Sequence, residues 1–310
     1  MGIVVIGTVF VDIKGFPDDV YSPTGRNAGR VETVHGGVGR NVAEDIANVE
    51  LRPALVTMVD DTPAGADVLD KLRRHKVNTD YIVTCPNGMG IWLAVFDNDG
   101  DLAGSISQRP RSEPLAALLA EKGDEIFADC DSIVVEIDMD AEIIKQVLRC
   151  AKKFGKKVYA VVSNMVIAAS RRDFLQSIDC FVCNLQEAGI LFVDDFSDME
   201  PEALAGELHR RIEAANIPAM VVTLGGRGSV YASLDGDRGY YPPETVKVRD
   251  TSGAGDAFCA GVAIGLTYGK TMLESVKIGT HLAASVITIS ESTCPRFLPQ
   301  ELGLDIEVTD

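Results

Sequence analysis

Short apolar stretches alternate with amphipathic ones along most of this chain, and that rhythm constrains its fold more than any single motif. Residues 3–6 read as a strand, 41–51 as a helix, 54–59 as a strand and 65–75 as a helix. Beyond an insertion follow strand 132–137, helix 141–154, strands 157–162 and 180–183, helix 202–215 and strand 219–224. From Ala257 onward the pattern is mostly helical. Strands this short, separated by helices, pair through crossovers and build a mostly parallel sheet covered on both faces. The expected class is α/β with a doubly wound sheet. Helix 41–51 illustrates the period: Val42, Ile46 and Val49 share one face, while Glu44, Asp45 and Asn48 fall elsewhere.

Two segments break the rhythm. Residues 13–35 carry Gly15, Pro17, Pro23, Gly25 and Gly29, which excludes a long helix. Residues 89–107 hold two strand-like runs around Asp97-Asn98-Asp99-Gly100, a turn composition that signals a hairpin. The two segments assemble most simply into a small β-sheet outside the main body, placed to act as a lid. The expected division is a body of residues 1–12, 36–87 and 110–310 and a lid of residues 13–35 and 88–109.

Composition narrows the partners. The chain of 310 residues carries a net charge of −17, which argues against a nucleic-acid surface, since phosphate neutralisation needs clustered Lys and Arg. A small phosphorylated ligand stays open, because it responds to local dipoles and bound cations. The apolar N-terminal run lacks a basic flank, and no stretch is long enough to span a membrane. The seven cysteines, with no secretory signal, read as reduced thiols of a cytoplasmic protein. Cys180 and Cys183 form a lone C-x-x-C inside a strand, where neither a redox motif nor a zinc site is expected.

The chemistry concentrates in Asp250-Thr251-Ser252-Gly253-Ala254-Gly255-Asp256-Ala257-Phe258. Small residues and glycines precede an apolar run that reads as a buried helix opening at Gly255 or Asp256. Such a turn points backbone N–H groups outward at the positive end of a helix dipole, which suits a phosphate. A carboxylate inside that cradle would repel a resting phosphate. Asp256 makes sense if it takes the proton of a hydroxyl whose oxygen attacks phosphorus; the alternative is a plain helix cap. A second glycine-rich turn, His35-Gly36-Gly37-Val38-Gly39-Arg40-Asn41, feeds helix 41–51 and brings Asn41, a donor and acceptor for hydroxyls. His35 and Arg40 flank it as solvated side chains, and Arg109 and Arg111 near the lid read as ordinary exposed arginines, with an approach to phosphates as the alternative. No dinucleotide fingerprint or Walker A loop is complete, which disfavours a nicotinamide-dependent oxidoreductase.

Asp12, the Gly36-Gly37 turn with Asn41, Asn184-Leu185-Gln186-Glu187, Thr223-Leu224-Gly225-Gly226-Arg227-Gly228 and the motif ending at Asp256 occur in one order that resembles the ribokinase-like (PfkB) carbohydrate kinases over essentially the whole chain. The resemblance implies a Rossmann-like body with a β-lid and an ATP- and Mg²⁺-dependent transfer to a primary hydroxyl of a sugar or nucleoside. It implies that Asp12, Gly36, Gly37 and Asn41 hold substrate hydroxyls. Asn184 and Glu187 would lie near Mg²⁺ and the nucleotide phosphates, with Glu187 acting through water. Thr223, Gly225 and Gly228 would border the nucleotide, and Gly253, Ala254 and Gly255 would form the anion hole beside the base Asp256. Asp250 and Ser252 would help place a monovalent cation, K⁺, as in part of the family.

Within the family, Gly36 to Ala43 and the upstream Asn27-Ala28-Gly29-Arg30 are similar to the pseudouridine kinases, so pseudouridine leads, with ribose, fructose or inosine as alternatives. The run Ser105-Ile106-Ser107-Gln108-Arg109 and the segment after Val161 depart from that pattern. A non-catalytic sugar sensor or scaffold is the rival of another class, and the intact Asp256 and glycines count against it. Exposed lid edges suggest a homodimer through the lid.

Overall fold

The computed structural model describes residues 2–306; Met1 and residues 307–310, the outer ends of the expected body, lie outside them. The chain begins with β1 (Val4–Ile6), β2 (Phe10–Pro17), β3 (Gly29–Gly36) and α1 (Val38–Asn48). Next come β4 (Ala54–Val59), α2 (Pro63–Arg74), β5 (Ile82–Thr84), β6 (Gly90–Phe96), β7 (Leu102–Gln108) and α3 (Glu113–Ala128). The middle holds β8 (Ser132–Glu136), α4 (Ala141–Phe154), β9 (Lys157–Val161), the short α5 (Met165–Ala169) and α6 (Arg172–Leu175), and β10 (Cys180–Asn184). Then follow α7 (Leu185–Phe192), α8 (Pro201–Ala215), β11 (Ala219–Thr223), β12 (Ser229–Ser233), β13 (Arg238–Tyr241), α9 (Ala254–Thr267) and α10 (Met272–Val286).

Nine strands form one sheet in the order β13-β12-β11-β10-β9-β8-β1-β4-β5. All its pairings are parallel except β11 with β12 and β12 with β13. Its central strands are buried on both faces because helices cover both sides, giving two apolar cores, one packed around Ile6, Phe127 and Ile133, the other around Val5, Ile46 and Val262. Local signals agree with the elements: Asp140 caps α4 by accepting from the Glu142 N–H at 2.8 Å, and Gly155 ends it in the left-handed conformation.

A second sheet of four strands runs β3-β2-β6-β7. Asp97 closes the β6–β7 turn by accepting from the N–H groups of Asp99 and Asp101, as the Asp/Asn/Gly composition foretells. Because β2 begins at Phe10, Asp12 itself stands on this sheet, paired with Val34 and Trp92. Asp12, Lys14, Val34, Trp92 and Ser107 turn to one cavity, while Ile13, Leu93 and Ile106 lie across from one another on the other face.

Two expectations need correction, and one region without an expected element is filled. The stretch read as an insertion contains α3, which buries Leu115, Leu119, Ile126 and Phe127 at helical spacing. The region after residue 228, for which no element is expected, is an antiparallel hairpin, β12–β13. And α1 has no solvated face: Glu44 and Asp45 are fully buried and Asn48 nearly so, because α9 and the strand-like segment around Thr293 and Cys294 cover that side. Cys180 and Cys183 lie within β10 as free, buried thiols, and burial pushes both upward in pKa, so neither is reactive.

Candidate active site

Helix α9 opens at Ala254 behind Gly253, which no side chain caps. Gly253 adopts φ 80°, and a Cβ there would overlap the carbonyl oxygen of Ser292, so the turn needs glycine for both conformation and space. Ala254 N–H closes the turn onto Thr251 O at 3.3 Å. The N–H groups of Gly253, Gly255 and Asp256 have no backbone partner among the described residues, which leaves three donors at the positive end of α9. Of the expected anion-hole residues, Ala254 therefore contributes position more than a free donor.

Asp256 stands in the first turn of α9, and its Oδ2 accepts a hydrogen bond from Asn41 Nδ2 at 2.6 Å. This side chain does not cap the helix. Burial raises its pKa to about 6, against the pull of the Asn41 hydrogen bond and the Arg40 charge; Glu187 and Asp12 add to the rise. The group is ionised at neutral pH yet more basic than an ordinary aspartate.

Asp256 and Gly253 line a cavity of about 560 Å³ together with Asp12, Gly36, Gly37 and Asn41. The Asp12 carboxylate occupies the space where a Cβ on Gly36 would stand. Burial raises its pKa, opposed by Lys14 and Arg40. Trp92 and Phe10 give the cavity aromatic walls, and Ser107, Asn164 and Ser292 add polar groups. On the other side of the same turn, Thr251, Ala254 and Gly255 line a second cavity of about 490 Å³ with Thr223, Gly225 and Gly228. Its remaining walls are mostly apolar, including Val246, Val248, Phe258 and Ile287, with Glu244, Thr245 and Thr280 as the polar exceptions. The helix N-terminus thus separates a polar cavity from a largely apolar one, the arrangement a phosphoryl transfer between two bound molecules requires.

Asn184 and Glu187 line neither cavity. They form a reciprocal capping box on α7: Asn184 Oδ1 accepts from Glu187 N–H at 2.9 Å, and Glu187 Oε2 from Asn184 N–H at 2.8 Å. Burial raises the Glu187 pKa. Asp250 Oδ1 accepts from Ser252 N–H at 2.8 Å, ahead of the anion-hole turn.

Of the arginines, Arg40 differs from expectation. Arg40 is wholly buried rather than solvated. Arg109 turns its guanidinium onto the Asp138 carboxylate and carbonyl and onto Ser163 Oγ. Arg111 is exposed and 3.8 Å from Glu113. Beneath the cavity, Ser163 Oγ lies 2.9 Å from both Glu136 and Asp138 carboxylates. Thr8 N–H and Oγ1 also donate to Glu136, both at 2.8 Å; burial first, and the Asp138 charge after it, raise the Glu136 pKa to about 7. Ser292, Thr8 and this acidic pair escaped sequence reading. Arg40 and Glu44 at helical i,i+4 spacing were a signal that could have found the buried pair.

Two cavities meeting at a glycine-rich helix N-terminus that carries a buried carboxylate suit a small-molecule kinase. The model of the pfkB family carbohydrate kinases matches residues 2–296, and the chain belongs to that family. It is a sugar or nucleoside kinase. It is 32% identical over 294 residues to a guanosine-inosine kinase of Exiguobacterium acetylicum, covering 94% of this chain and 95% of the relative. It is 24% identical to the pseudouridine kinase of Escherichia coli (strain K12), covering 94% and 92%. Among solved structures, Arabidopsis thaliana ribokinase complexed with ribose and ATP superimposes with a TM-score of 0.81 at 20% identity, covering 97% of both chains. The Rossmann-like, ribokinase-like fold is thereby established. Among the described residues no helix is long and apolar enough to cross a membrane.

Proposed function

We propose that this chain transfers the γ-phosphoryl group of ATP to the primary hydroxyl of a ribonucleoside. The observation that carries this reading is Asp256: a carboxylate held by Asn41 in the wall of the first cavity, next to Gly255 in the wall of the second. Asp12 and Asn41, with the Gly36-Gly37 backbone, hold the ribose hydroxyls. Asp256 accepts the hydroxyl proton as the new O–P bond forms, the bond to the bridging oxygen breaks, and ADP leaves. The free amides of Gly253 and Gly255 stabilise charge on the transferring group. The second cavity takes the nucleotide against Thr223, Gly225 and Gly228.

No group of three or more His, Cys, Asp or Glu suited to a metal occurs among the described residues. That fits Mg²⁺, which commonly uses one or two carboxylates beside water and substrate phosphates. Glu187 is the carboxylate assigned to it, through water, with Asn184 fixing its orientation; the ion would neutralise phosphate charge. Asp250 and Ser252 are assigned as oxygen donors for K⁺.

A base is favoured over a free sugar by the aromatic walls of Phe10 and Trp92 above the ribose site. Greater similarity to the guanosine-inosine kinase than to the pseudouridine kinase puts inosine and guanosine ahead of pseudouridine. ADP release across ribose, fructose, adenosine, inosine, guanosine, cytidine and pseudouridine, with and without K⁺, tests this. Turnover confined to ribose or fructose would remove the nucleoside reading. We further assign a homodimer joined through the outer face of the lid sheet.

A further inference from the structure

Arg40 is among the largest side chains wholly withdrawn from solvent. Its Nη1 donates to Glu44 Oε2 at 2.8 Å, which balances its charge. Its other donors leave the helix. Nη2 donates to His35 O at 2.6 Å and to Ser292 Oγ at 3.0 Å, and Nε reaches Gly36 O at 3.4 Å. His35 and Gly36 end β3 and begin the substrate-holding turn; Ser292 backs Gly253 with its carbonyl. The Ser292 hydroxyl in turn donates to Asn41 Oδ1 at 3.3 Å, and Asn41 holds Asp256. A buried ion pair by itself is a poor source of stability, because desolvation offsets the Coulomb attraction. A guanidinium whose remaining donors join the two sides of a cleft has a further role.

We propose that Arg40 is a positioning residue of the phosphoryl-transfer site: its buried guanidinium ties the substrate-holding turn to the segment behind the anion hole and, through Ser292 and Asn41, sets where the Asp256 carboxylate stands. This rests on the reading of Asp256 as the base. Lysine cannot replace it, since one nitrogen cannot span Glu44, His35 O and Ser292 Oγ together. Arg40 also acts by charge. Asp256 is faced by Asp12 from β2, Asp45 from α1 and Glu187 from α7, and Arg40 is the cation set against these acids. Lys14 and Arg109 line the same cavity, but Lys14 acts on Asp12 and Asp250, and Arg109 is bound to Asp138. Around Arg40 itself stand His35, with Asp67 beside it, and Lys71, which lies 3.5 Å from Glu44 and 3.6 Å from Glu291.

Two variants separate geometry from charge. Arg40→Lys keeps the charge and loses the span: kcat per folded molecule should fall roughly tenfold or more, with the acid limb of kcat/KM near that of wild type. Arg40→Met combined with Glu44→Gln removes both charges of the pair, and the acid limb should move up by about half a pH unit or more. The Asp256 carboxyl, followed by difference infrared spectroscopy against Asp256→Asn, should titrate upward in the same variant. That measurement needs no turnover, so it stands even if no nucleoside or sugar is phosphorylated, an outcome that would instead remove the proposed activity. Should the double variant not fold, Arg40→Lys decides alone. Wild-type kcat in Arg40→Lys, or an unmoved limb and carboxyl titration in a folded double variant, would overturn the proposal whatever the change in melting temperature.

Discussion

Asp256 carries opposite demands for chemistry and for stability. With a pKa of about 6 in the folded protein against an ordinary 3.8, the proposed base is ionised only above that value, so kcat/KM should rise as pH increases through about 6. The folded state holds the Asp256 proton more tightly than the unfolded chain. Between the two pKa values, raising the pH therefore removes stability rather than adding it. Asp256→Asn takes away both the base and the buried charge. Single-turnover transfer should fall by at least roughly a hundredfold, while the melting temperature at pH 7 equals or exceeds that of wild type. That thermal advantage should vanish below about pH 4, where the wild-type carboxyl is neutral too. Near-normal transfer in Asp256→Asn would remove Asp256 as the base.

At the scale of elements, one side chain ties the end of β7 to the main body. Arg109, just past β7, binds Asp138 after β8 and Ser163 after β9. Arg109→Ala leaves the buried Asp138 to Ser163 alone and frees that end of the lid. With one charge-assisted contact worth about 1.5–3 kcal/mol before solvent screening, substrate KM should rise roughly tenfold. Nucleotide KM should hold, and hydrogen exchange in β6 and β7 should quicken. Equal protection in wild type and variant would show that Arg109 does not anchor the lid. Elements with local signatures were legible in the sequence: α4 with its Asp140 cap, the β6–β7 hairpin with its Asp97 turn, the anion-hole turn ahead of α9. Helix α3 was passed over because Pro114 and Gly123 interrupt a run whose buried residues are nonetheless helically spaced. Strands β12 and β13, Ser-Val-Tyr-Ala-Ser and Arg-Gly-Tyr-Tyr, are too short to carry a period. The buried partners of α1 were beyond reach for another reason: Ser292, Thr293 and Cys294 meet it across some 250 residues of chain, and no local pattern encodes such a pairing.

Taken as a whole, the molecule carries a charge of −17, which resists self-association, and an apolar lid face, which favours it. Val31 and Ile106 are 70% and 69% exposed, with Ile91 and Leu93 beside them at 37% and 41%. Strand register places Ile91 and Leu93 on the face opposite Trp92, with Ile106 across from Leu93, so covering that face does not touch the cavity wall. Four strands with open edges at β3 and β7 make a small sheet that gains from a second copy. A contact of this kind is held by apolar burial and opposed by long-range repulsion. Added salt should therefore strengthen it, since the Debye length shortens from about 10 Å at 0.1 M to about 3 Å at 1 M. Sedimentation velocity should show a dimer whose fraction grows with salt. Combining Leu93→Lys with Ile106→Lys should yield a monomer that keeps its fold and its substrate specificity. A dimer weakened by salt would point to ion pairing at some other surface, and a wild-type monomer at high salt would leave the apolar lid face without a second copy to cover it.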